Sequence, residues 1–522
     1  MTAGDLSALG EGAALLETDG PEEASRLAAA LRQGLPDAVE VVSGLSSVVV
    51  VDPGPDLPSR VRGALASLTV SAAPVHHEID VVLDGPDLAE ALATTGLSAP
   101  EAADALEVTL QVATVGFSPG FGYLTGLTGP LADLPRRPTP RPRVPAGSLA
   151  VAASMAAVYP QATPGGWWLL GRTTATLFDP TAMPPSRLAP GDTVGLRVVA
   201  ELPALKGPLE RPVLGPPDGI AAVLEVRSCP PGSILVDAGR RGVAHLGVPA
   251  AGPADPERLA VAAALVGGAP GAIEVTGSGL ELVVLASTVL AGVDVGLSVD
   301  GRAVPEGIPI AVAPGQVVRS TAVGRGARGY LGIAGGPRVP EVLGSISTDS
   351  LSGVGPGLAA GDRLGGGPVP ATLPVRGAVP EDPSPAVLRV LPGPHAGWLS
   401  GSLDGLTARV GATSNRVGMR LVPDEGPVGR RSGEVASMAT VLGAIQLPPD
   451  GCPIILGPDR ATLGGYPIVG VVAAADHGVL GRLAPGDPVV LVDVDAGQAE
   501  AALENRTRLR AGFVAGSAPT LG

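Results

Sequence analysis

The stretch SRLAPGDTVGLRVV (186–199) returns near the other end of the chain as GRLAPGDPVVLVDV (481–494). Each copy runs from a Pro-Gly-Asp turn into a segment rich in β-branched and apolar residues, the pattern of a turn feeding a strand. Upstream lies a second matched pair, ATPGGWWLLG (162–171) and ATLGGYPIVG (461–470). Pro-Gly-Asp alone is a common turn, but the Ala-Thr-x-Gly-Gly pair is independent of it and keeps the same order. The 522 residues therefore contain a duplicated β architecture, closed in each copy by strand, turn and strand.

Around these repeats the composition agrees. Gly (76) and Pro (56) punctuate short apolar runs such as SSVVVVD, GSLAVAAS, ELVVLAS, PIAVAPG and PVVLVDV, so the protein is mainly β with some α+β. Apolar residues at 45% exclude disorder. Helices are expected over 21–34, 88–94, 100–105 and 256–266. We expect an N-terminal α+β segment over 1–110, a barrel over 111–205, a Pro/Gly-rich linker over 206–219 and a second half over 220–522.

The net charge of −15 and the lack of a basic stripe argue against nucleic acid. Two cysteines and five scattered histidines give no metal-ligand spacing, so no metal site is expected. The most apolar stretch, 280–299, is broken by Glu281, Gly292 and Asp294, short of a span. There is no signal-peptide pattern, and we expect a soluble cytoplasmic protein. Lys206 is the only lysine and stands in LKGP, so neither a P-loop nor a covalently bound biotin fits.

Six of the eleven aromatics fall between Gly116 and Thr173, in GFSPGFGYLTGL (116–127), RVPAGSLAVA (143–152) and VYPQATPGGWWLLGRT (158–173). Tight Gly/Pro turns beside rings are expected to put ring faces and backbone N–H groups on one pocket rim. Ser118, Tyr123, Arg143, Tyr159, Gln161, Thr163 and Gly165 are the candidates there. A second dense stretch, DAGRRGVAHLGVPAAGPADPERLA (237–260), offers Asp237, Arg240 and His245. Arginine can clamp a carboxylate or phosphate while His or Asp moves a proton; an Asp–Arg staple beside a satisfied histidine is the alternative. Asn415 and Arg416 in TSNRVGMRL (413–421) suit oxyanion recognition or an ordinary Asn turn. GAIQLPPDGCPIILGPDRATLGGYP (443–467) offers Gln446, Asp459, Arg460 and Thr462 on tight turns, with a counterpart at 161–172 in Gln161, Thr163 and Arg172, so one site is expected to be used twice.

At these motifs the chain resembles a known family. Its first half is similar to the B-type component of the bacterial ATP-dependent 5-oxoprolinase, also called allophanate hydrolase subunit 1 or the sporulation-kinase-inhibitor family. DAGRRGVAHLGVPAAGPAD, ARGYLGIAGG (327–336), VLGSIST (342–348), SNRVGMRL and GGYPIVGVVAAADHGVLGRLAPGD (464–487) resemble the C-type component of the same enzyme, the biotin-dependent carboxyltransferase-like family formerly called allophanate hydrolase subunit 2. The resemblance implies two cyclophilin-like β-barrel units, each with a smaller accessory segment. It implies cleavage of 5-oxoproline to glutamate with ATP and Mg, together with a separate 5-oxoprolinase A-type protein; a homo-oligomer stays open. Asp237, Arg240, His245, Asn415 and Arg416 are then the catalytic candidates. Two alternatives remain: a carboxyltransferase component meeting biotin on another protein, or a non-enzymatic regulator of a histidine kinase. The chain departs from the family pattern at Glu107, where a Leu-His pair is usual, and at 349–353, where an Arg-Gly-Gly is usual.

Overall fold

The computed structural model describes residues 6–52, 54, 56–66, 73–204, 211–268, 271–324, 328–379, 381–515 and 518–519. The first part of the expected linker, 206–210 with Lys206, lies outside the described residues.

The chain opens with an antiparallel four-stranded sheet, Leu6–Ala8, Ala13–Glu17, Ser47–Val51 and Glu40–Ser43 in spatial order. Helices α1 (Pro21–Gly34) and α2 (Leu57–Ala66) cover one face. Pro at its start, Glu22 and Glu23 in the first turn and Arg32 in the last make α1 legible. The valine run at 48–51 is buried on both sides. Val48 and Val50 meet the helices, whereas Val49 joins Leu15 and Val42 against the next unit.

The next unit is a seven-stranded sheet ordered Trp168–Arg172, Ser148–Ala152, Met155–Val158, Gly122–Thr125, Thr109–Val115, Thr193–Val198, His76–Val81. Its last pair is parallel, Thr193 opposite His76, and a bridge between Val82 and Arg172 joins its two edges. Helices α3 (Leu88–Thr95) and α4 (Ala99–Leu106) pack on it, α4 starting at a Ser98–Glu101 capping box. The stretch read as 1–110 thus serves two units. Its own sheet and helices end at residue 66, and the strand at 76–81 finds its partner at 193–198.

A sandwich of a six-stranded and a five-stranded sheet follows over 222–365, with α5 (Pro256–Leu265) against the smaller sheet. Asp255 caps α5, accepting the N–H groups of Glu257 and Arg258. The last unit is a closed seven-stranded barrel: Ala386–Pro392, Ile468–Val472, Ala444–Gln446, Ile454–Leu456, Gly418–Pro423, Thr407–Val410, Pro488–Asp493. Helices α6 (His477–Arg482) and α7 (Ala496–Arg510) flank it.

The two seven-stranded units match strand for strand, including the parallel pair, Ala386 opposite Val489 in the second. The Pro-Gly-Asp turns match in detail. Gly191 (φ +95°) and Gly486 (φ +94°) donate to Val112 and Val410, each at 2.8 Å. Asp192 and Asp487 fold back to accept Ala189 and Ala484 N–H, each at 2.9 Å. The duplication expected from the repeats is thus present as two barrel units.

Candidate functional site

In the GFSPGF turn, Gly116 N–H donates to Phe121 O and Phe121 N–H to Ser118 O, each at 3.0 Å. The turn needs Phe117 and Gly120 at φ +70° and +74°. Gly120 N–H then donates to Leu246 O at 2.8 Å, in the 3₁₀ turn Ala244–Leu246. Gly247 follows at φ +82°, and a Cβ there would lie 2.0 Å from Ser118 O. The two densest sequence motifs therefore meet in space.

The aromatic residues do not form a rim. Phe121 sits edge-on to Phe117, Tyr123, Tyr159 and Trp167, with centroids 5.1–6.0 Å apart. Phe121, Tyr123, Tyr159 and Trp167 are buried in a core shared by the N-terminal sheet and both barrel units. Burial raises the phenol pKa of both tyrosines. The ring faces expected on a pocket rim are thus taken up in packing, because five of the six rings supply this core of a ring-poor chain, while Trp168 packs within the first barrel.

The GFSPGF turn of the first barrel packs on the Ala-Thr-Leu-Gly-Gly stretch of the second. A Cβ on Gly116 would meet Leu463 at 2.4 Å and Thr462 Oγ1 at 3.2 Å. Ser118 Oγ, Gln161 Oε1, Thr163 Oγ1, Gln446 Nε2 and Thr462 Oγ1 are buried and make no hydrogen bond within the protein. Such groups take partners from solvent or a ligand. Gly165 belongs here too, its Cα pressed on the Tyr159 hydroxyl, and Arg136, which sequence reasoning passed over, reaches Gly465. Arg143 does not join them: it is exposed on the strand Arg141–Val144.

Asp237 accepts four hydrogen bonds, from Ser345 Oγ (2.6 Å), Ser347 Oγ (2.7 Å), Gly239 N and Ile346 N (2.9 Å each). Burial pushes its pKa up, but these donors outweigh it and hold it below the usual value. Arg240 is 1% exposed and donates to the carbonyls of Val342 and Ser347. Asp237 and Arg240 therefore staple one loop, the alternative weighed for them. Asn415 closes an Asn turn, accepting Val417 N–H at 2.8 Å.

Arg416 has no donor left for a ligand. Nε and Nη2 pair with Asp459 at 2.9 and 2.8 Å, Nη1 holds Glu274 at 2.8 and 2.9 Å, and Nη2 also donates to Gly252 O at 2.7 Å. Asp459 in turn accepts Ser350 N–H and Oγ at 3.0 and 2.5 Å. The divergent segment 349–353 is thereby tied into the same network, and burial beside Asp459 raises the Asp349 pKa to about 6. Arg416 and Asp459 thus join the sandwich to the second barrel. Glu107, the other divergent position, accepts Val198 N–H at 2.8 Å.

Three titratable groups lie nearby with altered proton affinity. Glu40, on the N-terminal sheet, accepts Ala244 N–H at 3.0 Å, and burial raises its pKa to about 7. Burial lowers His245 to about 4, helped by the Arg32 charge. His477 is likewise lowered to about 4 by burial, with its Nε2 3.3 Å from Val472 O. A cavity of about 790 Å³ opens between α5 and the second barrel, lined by His477, Asn415, Arg328, Arg416 and Arg460 amid Ala, Gly, Leu and Pro. Arg460 was among the turn residues singled out in the sequence, whereas Glu40 stands in an unremarked strand position and its partner Ala244 lies 204 residues away. Among the described residues no group of His, Cys, Asp and Glu could hold a metal ion, and no helix is long and apolar enough to cross a membrane.

Residues 2–188 match the carboxyltransferase domain, subdomain C and D, and residues 246–493 match the carboxyltransferase domain, subdomain A and B. The chain is 37% identical over 204 residues to the B component of 5-oxoprolinase, covering 36% of this chain and 92% of that protein. It is 32% identical over 296 residues to the C component of 5-oxoprolinase, covering 52% of this chain and 91% of that protein. Both relatives are from strains of Escherichia coli. Urea amidolyase of Saccharomyces cerevisiae is 31% identical over 291 residues, 49% of this chain but 16% of that protein. The crystal structure of TTHA0988 superposes with a TM-score of 0.80 at 33% identity, covering 92% of this chain and 99% of the other.

Proposed function

Because the chain belongs to the family of the 5-oxoprolinase B and C components, with both lengths in one polypeptide, we propose that it is the fused B and C component of an ATP-dependent 5-oxoproline hydrolase. A separate A-type protein completes the enzyme. The observation that carries the reading is the near-complete coverage of both components, 92% of one and 91% of the other, by separate halves of this chain.

A lactam carbonyl is a poor electrophile, and phosphorylation of its oxygen by ATP would open the ring carbon to water; the C–N bond then breaks to free the amine, and a second water releases the phosphate. The described residues do not fit the nucleotide itself. In the cavity, Arg416 and Arg328 are taken by Glu274 and Asp459, which leaves Arg460 alone to meet a triphosphate, and there is no aromatic ring beyond an imidazole to stack on a base. We therefore place the phosphates on the A-type partner. This chain's own contribution is to bind and orient the organic substrate and to hold a proton.

The test is to mix the purified chain with a candidate A-type partner, ATP and 5-oxoproline and to follow ADP and glutamate together. Matched release of both products is expected; silence with an A-type partner proven active on another B and C pair overturns the reading. The carboxyltransferase match favours a second reading, transfer of a carboxyl group from biotin on a separate carrier. That reading requires turnover only when a biotinylated carrier is added.

A further inference from the structure

We infer that the cavity between α5 and the second barrel binds a small organic carboxylate with an uncharged body, and that Arg460 holds the carboxylate. Charge is the first argument. Three arginines line the cavity and no Asp or Glu does, in a chain whose net charge is −15. Glu274 and Asp459 stand behind Arg328 and Arg416, so the wall facing the cavity carries only positive side chains, and an anion is favoured there.

The second argument is which of those cations is free. Arg416 has all five N–H groups engaged. Arg328 lies 3.4 Å from Glu274. Arg460 makes one long hydrogen bond, Nε to Thr440 O at 3.4 Å, and among the described residues no carboxylate comes within 4.0 Å of it. The two acids whose charges it feels are not in contact with it: Asp459 is committed to Arg416 and Ser350, and Glu40 holds Ala244 N–H with one oxygen and makes no hydrogen bond with the other. Burial lowers the Arg460 pKa to about 10, which still leaves it charged at neutral pH. A half-buried charged guanidinium with no acid in contact is completed by an anion from outside.

The remaining wall sets the size and charge of that anion. Leu259, Leu442, Leu456 and Leu480 with several prolines and alanines give an apolar enclosure, and the volume of about 790 Å³ admits a small molecule. One free guanidinium balances one negative charge, so a monocarboxylate fits better than a polyphosphate. In the proposed reaction that carboxylate is the one 5-oxoproline carries, an identification that rests on that reading; the site itself does not.

Direct binding to the full chain separates the two. Cyclopentanecarboxylate, 5-oxoproline and 2-pyrrolidinone would be titrated against it by ligand-observed NMR. Both carboxylates are expected to bind at a single site and 2-pyrrolidinone, which lacks the acid, to fail. Arg460→Met should weaken carboxylate binding at least tenfold. Ala260→Phe, at an exposed α5 position lining the cavity, should do the same while leaving Arg460 in place, so a folding defect in the first variant does not decide the matter. Binding of cyclopentanecarboxylate without 5-oxoproline upholds the carboxylate site and removes the lactam as its ligand. Failure of both acids to bind, or undiminished binding in Ala260→Phe, overturns the inference.

Discussion

Glu40 reaches out of the N-terminal sheet to the loop at 242–244, accepting Ala244 N–H with one oxygen while the other makes no hydrogen bond. Burial raises its pKa from 4.5 to about 7, so the protonated form suits the fold better than the carboxylate. Its contribution to stability is whole below pH 4.5 and is lost as pH rises through 7. The loss is on the order of 3 kcal/mol by linkage. His245 and His477 act in the opposite sense. Their neutral forms suit the fold, so their contribution is whole above pH 6.5 and is lost as pH falls through about 4. Glu40→Gln removes one limb and keeps the other. The variant should match the parent near pH 4 and exceed its unfolding free energy by about 2–3 kcal/mol at pH 8, read from urea titrations. A pH-independent difference would show that the carboxyl is solvated. None of this was legible in EVVSG, where one glutamate among valines carries no mark of the loop 200 residues away that buries it.

The duplicated turns are the elements the sequence displayed most clearly, because their geometry is local: glycines at fixed offsets and a carboxylate folding back on its own turn. Helices with local start signals were equally legible, α4 and α5 through Pro in the first turn. Helix α7 was not, although Asp495 and Gln498 form a capping box, because it has no apolar stripe and buries only Ala499. It docks through charge instead, Arg506 and Arg510 converging on Glu257 at 2.6–2.9 Å. Equivalent glycines of the Ala-Thr-x-Gly-Gly pair nevertheless differ in what they touch. A Cβ on Gly165 would lie 2.2 Å from the Tyr159 hydroxyl, whose ring is fixed edge-on against Phe121. A Cβ on Gly464 would meet only the amide end of Gln446, at 2.4 Å, and that end is free to turn. Gly165→Ala should therefore cost about 2–3 kcal/mol by overpacking and Gly464→Ala under about 1. Equal losses of melting temperature would mean that the Tyr159 ring yields.

Over the whole molecule, the bond between units is carried by charge as much as by apolar packing, and Arg416 is its centre. Glu274 belongs to the five-stranded sheet of the sandwich and Asp459 to a turn of the second barrel, and both side chains are 0% exposed. Sequence reading found an arginine beside an asparagine turn and assigned it to a ligand, since nothing in TSNRVGMRL reveals two acids waiting 142 residues before it and 43 after. Removing one member of such a buried set leaves uncompensated charge, which costs about 3–5 kcal/mol. Arg416→Met should fall in that range. Arg416→Lys should recover only part of it, because an ammonium cannot serve two carboxylates bidentately. Arg420→Met supplies the contrast: its partner Asp450 is half exposed, and the loss should stay below about 1 kcal/mol. Because the lost bonds lie between units rather than within one, Arg416→Met should also broaden or divide the calorimetric transition, whereas a loss confined to one barrel would lower the midpoint and leave a single peak. A single sharp peak at unchanged temperature would place the coupling in the shared aromatic core instead, where Phe121 and its neighbours already join the N-terminal sheet to both barrels.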